Sequence, residues 1–62
     1  MEDIKSQFLK VYANLPLGVR EEIIMVINSE PMTWKSTKLE VEQETTIGRE
    51  ALEELRKLKI LP

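Results

Sequence analysis

The sequence predicts an all-α fold, a small bundle of three to four helices, and three observations carry that prediction. Apolar residues recur at spacings of three and four through most of the chain. Capping residues and charges stand where helix ends want them. Only residues 33–43 alternate in the manner of a strand, and the chain offers that segment no clear partner.

The first helix is expected from about Asp3 to Leu15. Ile4, Phe8, Val11, Tyr12 and Leu15 form one apolar stripe, and Lys5, Ser6, Gln7 and Lys10 fill the other face. Asp3 can cap its first turn. Pro16 disfavours helix at Leu15 before it and can itself open the next element.

A second helix is expected from about Leu17 to Asn28. Val19, Ile23, Val26 and Ile27 form its stripe, and Ile24 and Met25 widen the stripe to most of the circumference. The run Ile23–Ile27 taken alone also reads as a buried strand. Glu21 and Glu22 before it and the absence of turn residues within it favour helix. Asn28-Ser29-Glu30-Pro31 then makes a turn.

Residues 33–43 admit two readings. Thr33 as an N-cap would start a helix with Trp34 in its first turn. Alternation of Thr33, Lys35, Thr37, Leu39 and Val41 would suit an extended segment. Helix is favoured because a lone strand has nothing to pair with. The last helix is expected from about Thr46 to Lys59, with Ile47, Ala51, Leu55 and Leu58 as its stripe and Leu52 beside it. Thr45 or Thr46 caps it, and Glu53 and Lys57 are placed for an i,i+4 pair. Ile60-Leu61-Pro62 is expected to fold back as an apolar hook.

With 62 residues, the chain is read as a single domain, 1–62. A domain this small buries only roughly 60 % of its unfolded surface, so it needs good packing, a staple or a partner. There is no cysteine and no histidine. Disulfides, thiolate metal sites, imidazole ligands and the commonest general base are therefore excluded. No nucleotide-binding glycine pattern or metalloprotease pattern occurs. The expectation is a protein that is not an enzyme and takes no cofactor, no metal and no small-molecule substrate. Lack of cysteine fits a reducing cytoplasm. No segment has the roughly 20 apolar residues of a membrane span, and the acidic start does not resemble a signal peptide.

Four features stand out. Glu40, Glu42 and Glu44 could meet a cation or a basic partner, or form a solvated face. Gly48, in the first turn of a helix, costs roughly 1 kcal/mol relative to alanine, which close approach of another backbone or of a phosphate would offset. Trp34 is core or interface. Ile24 and Met25 are either covered by the first and last helices or surplus to one small core, where they would mark a dimer seam or partner site.

From Arg20 to Leu61 the pattern resembles the tri-helical core of helix-turn-helix and winged-helix regulators, without a wing. Arg20–Asn28 would be the opening helix, Glu30-Pro31-Met32-Thr33 the turn, and Thr45-Thr46-Ile47-Gly48-Arg49 the start of the recognition helix. The resemblance implies DNA contact by Thr45, Thr46, Arg49 and Arg56. Nine basic against eleven acidic residues, a net charge of −2, disfavour nucleic acid. The function expected first is therefore a self-associating protein-interaction module, with a homodimer or another protein as partner. Its contacts would come from Ile24, Met25, Met32 and Trp34. The alternative is a small DNA-binding regulator.

Overall fold

A computed structural model describes residues 3–60. The chain builds helix α1 (Ile4–Ala13), a 3-10 turn (Val19–Glu21), strands β1 (Ile23–Ile27) and β2 (Glu30–Thr33), then helices α2 (Trp34–Glu42) and α3 (Thr46–Lys57). The fold is mixed α/β, and the expected all-α helical bundle is corrected on this point. The second helix expected from Leu17 to Asn28 is the 3-10 turn followed by β1. With it goes the opening helix of the helix-turn-helix-like tri-helical core.

The reason lies in the turn. Asn28 and Ser29 both hold positive φ, 51° and 68°. That is the backbone of a two-residue hairpin turn whose twist matches the flanking strands. Four of the five residues of β1 are β-branched, which favours the extended state once a partner exists. The partner is β2, antiparallel, with Ile27 opposite Glu30, Val26 opposite Pro31 and Met25 opposite Met32. Ile24 is an extra residue, a bulge between Ile23 and Met25. The bulge turns two neighbouring side chains, Ile24 and Met25, toward the core, and this disguises strand alternation as helical spacing.

The expected helices at both ends and across 33–43 are present. Asp3 caps α1, its Oδ1 accepting from the Ser6 N–H at 2.7 Å. Thr33 caps α2 through a reciprocal box. Ser36 N–H donates to Thr33 Oγ1, and Thr33 N–H donates to Ser36 Oγ. Thr45 caps α3 by accepting from Gly48 N–H at 3.0 Å. Both α2 and α3 end on a left-handed residue that is not glycine, Glu44 and Lys59. In each case the amide of that residue and the amide of the next one bond back onto the last turn.

Phe8 and Tyr12 of α1, Trp34 and Val41 of α2, and Leu52 and Leu55 of α3 form the core. Phe8 lies 6.0 Å from Trp34 and 6.3 Å from Tyr12, ring centre to ring centre. Gly48 makes the tightest helix contact. A Cβ there would stand 2.5 Å from the Glu40 carbonyl oxygen, so the helices approach as closely as a glycine allows. Of the two accounts of Gly48 given by the sequence, packing is the one realised. The apolar hook expected at Ile60-Leu61-Pro62 lies outside the described residues beyond Ile60, which is itself exposed.

Candidate functional site

Several carboxylates of the helices are engaged by neighbouring groups. Glu40 Oε2 accepts from Thr45, Glu42 pairs with Lys38 at 3.1 Å, and Glu44 pairs with Lys5 at 3.5 Å. Among the described residues no group of acidic side chains is placed to hold a metal ion. Glu53 pairs with Arg56 and Glu54 with Lys57, each three residues apart, rather than Glu53 with Lys57. The Asp3 carboxyl has a lowered pKa. The Ser6 backbone N–H on its carboxylate, ahead of the smaller contributions, holds it below the ordinary value of 3.8.

The residues that the regulator resemblance assigned to DNA lie along α3. Thr45 is committed as its cap, Thr46 and Arg49 are exposed, and Arg56 Nη2 donates to Glu53 at 2.9 Å. Glu50 stands exposed beside Arg49. These positions share one helix but not one positive surface.

An open groove of about 440 Å³ runs along α2, floored by Tyr12 and walled by Lys35, Ser36, Lys38 and Leu39. Its polar groups are engaged. Lys38 holds Glu42, Ser36 closes the cap on Thr33, and Arg20 lies 4.5 Å over the Tyr12 ring while donating to the Tyr12 carbonyl.

The hairpin differs. Met32 and Trp34, expected at an interface, are buried at 5 % and 8 % exposure. Ile24 and Met25 are half-buried against the core. The side chains that β1 turns outward are Ile23 and Val26, at 62 % and 64 % exposure. Pro31, opposite Val26, is exposed with them. The outer face of the hairpin is therefore apolar on both strands.

The backbone edges are also unequal. In an antiparallel pair, residues alternate between bonding across the ladder and pointing away from it. The pair beside a two-residue turn bonds across, so Ile27 and Glu30 face each other. Val26 and Pro31 then point outward, as do groups at Thr33. The Trp34 N–H reaching back to the Glu22 carbonyl at 3.3 Å fits this alternation. On β2, Pro31 has no N–H to offer, and the Thr33 N–H is taken by Ser36 at 2.9 Å. The β2 edge is closed to any partner that needs a donor from it. On β1, no charge, glycine or proline interrupts Ile23–Ile27. Among the described residues, none of its backbone groups bonds outside the hairpin. The β1 edge is open.

Sequence reasoning missed Ile23 and Val26 because a helical reading turned Ile24 and Met25 outward instead. The signal that finds them is the β-branched run meeting Asn28-Ser29. Comparison with protein families, with curated proteins and with solved structures finds no match to this chain. Among the described residues no helix is long and apolar enough to cross a membrane.

Proposed function

We propose that this chain is a non-enzymatic, self-associating interaction module whose contact surface is the outer side of the β-hairpin. The observation that carries the reading is the pairing of an exposed apolar face, Ile23 and Val26, with a strand free of charge and proline. Native proteins blunt such strands with lysines, prolines or a covering element, because an uncovered one invites pairing with other chains. This chain blunts β2 and leaves β1 bare. A domain of 62 residues without disulfide or metal also gains most from a partner that completes its packing.

Magnitudes set the expected strength. Covering a side chain that is about two-thirds exposed is worth roughly 1–2 kcal/mol. Two such residues from each of two copies give roughly 4–8 kcal/mol before edge hydrogen bonds. Association itself costs about 4–15 kcal/mol. The complex is therefore weak and concentration-dependent rather than obligate.

Catalysis, a cofactor and a small-molecule substrate have no place in this reading, which rests on the absence of histidine and cysteine and on the neutralised carboxylates. A reducing, cytoplasmic setting goes with it. The alternative, a DNA-binding regulator, would work through α3. Glu50 beside Arg49 and the Glu53 clamp on Arg56 weigh against it.

Light scattering across a concentration series tests the proposal. The wild-type mass should rise from one copy toward two, and Val26→Lys should hold it at one. Because Val26 is 64 % exposed and lies outside the buried core, thermal stability should change by no more than about 0.5 kcal/mol. A wild-type mass of one copy at every concentration would sink the proposal.

A further inference from the structure

We infer that the occupant of the open edge is β1 of a second copy, antiparallel to the first, so that two hairpins join into one four-stranded sheet. The inference rests on the self-association just proposed and adds its geometry.

An edge partner must present free outward N–H and C=O groups, and no charge or proline on the contacting strand. β1 meets those conditions itself. An antiparallel strand pair about a twofold axis uses the same strand from each side, so one chain supplies both halves. Val26 is the residue best placed for it. Its N–H and C=O point away from β2, and its side chain is exposed beside them.

The closed β2 edge decides the size of the assembly. A chain with two open edges would pair on both sides and grow without limit. Here Pro31 removes one outward donor and the α2 capping box removes the next. One open edge per copy gives pairing that stops at two. The same cap that starts α2 therefore prevents fibre growth. The apolar face adds to the edge. Ile23 and Val26 of both copies would lie on the same side of the joined sheet and shield one another from water.

Edge pairing and face packing make different demands. Face packing needs the Val26 side chain, whereas edge pairing needs its N–H. Because that N–H lies outside the hairpin ladder, Val26→Pro removes it without removing a bond from the monomer, as Pro31 does opposite. Val26→Thr keeps the N–H and the branched shape.

The test combines sedimentation with residue-resolved amide exchange on the wild-type chain, from about ten micromolar to about a millimolar. The expected result is a monomer–dimer equilibrium in which protection of the Val26 amide rises with the dimer fraction. Val26→Thr should still dimerise, and Val26→Pro should dimerise at least about a hundredfold more weakly. Dimers with an unprotected Val26 amide, or undiminished dimerisation of Val26→Pro, would overturn edge pairing while leaving self-association standing. Growth beyond two copies would overturn the closed-edge argument. A wild-type chain that stays monomeric would remove both. The wild-type exchange measurement decides the matter even if Val26→Pro does not fold.

Discussion

The helical pair α2–α3 and the hairpin β1–β2 are neighbours in sequence but treat their apolar residues differently, even though Leu39 on α2 and Leu58 at the end of α3 are exposed as well. On the helices, Val41, Ala51, Leu52 and Leu55 are buried, every N-cap is satisfied, and the two backbones meet at Gly48. On the hairpin, Ile27 and Met32 are buried while Ile23 and Val26 face water above a bare strand edge. On the function proposed above, the difference separates structure from function. Groups already matched inside the domain hold the fold, and groups left unmatched are where another molecule has something to gain.

The sharpest way to break this comparison is to delete buried and exposed side chains in parallel. Leu55→Ala removes a fully buried side chain and should cost about 2–5 kcal/mol. A domain of 62 residues has roughly 3–9 kcal/mol in all, so this variant should lose a large fraction of its stability, read by chemical denaturation. Ile23→Ala should lie within about 0.5 kcal/mol of wild type in dilute solution. Equal costs at the two positions would erase the distinction.

Gly48→Ala comes next. The new methyl group would meet backbone atoms of Glu40 and Val41 that cannot swing aside. The clash should cost about 1–3 kcal/mol, against which better helix propensity returns about 1 kcal/mol. An alanine variant about 1 kcal/mol more stable than wild type would mean that α2 and α3 do not approach so closely.

Thr37→Val should move stability the other way. Thr37 is fully buried in α2, and its hydroxyl has no hydrogen-bond partner. Replacing it with an apolar side chain of the same shape should stabilise by about 1 kcal/mol. A destabilised valine variant would show that the hydroxyl is satisfied in solution.

The smallest effect concerns pH. The folded pKa of Asp3 lies below 3.8 because its carboxylate accepts from Ser6. A depressed folded pKa contributes stability that is present above the unfolded value and lost as pH falls through the folded one. The Ser6 amide shift should therefore titrate with a midpoint below 3.8. Asp3→Asn should keep the cap and remove the titration. A midpoint at or above 3.8 would contradict the cap.

Much of this fold can be read from local chemistry. Asp3, Thr33 and Thr45 announce their helices, because a cap is a matter of neighbours in sequence. Gly48 signals a close approach because a glycine inside a helix costs stability that something must offset. The hairpin escapes such a reading for two physical reasons. The Ile24 bulge breaks the alternation that marks a strand. Pro31 looks like a breaker, yet it sits where the ladder asks for no N–H. The surplus of apolar residues near Met25 is legible, but which of them face outward depends on that one inserted residue. Trp34 goes inward for a related reason: the hairpin delivers it onto Phe8, and it buries Met32 opposite Met25.

The central claim is that the outer side of β1 meets the same strand of another copy. An isotope-filtered NMR experiment on a mixture of labelled and unlabelled chains tests it most directly, because it records only contacts between copies. The expected result is a set of intermolecular contacts from Ile23 and Val26 methyl groups to β1 of the other copy. Intermolecular contacts confined to α3 or to the Tyr12 groove, with none at β1, would contradict it.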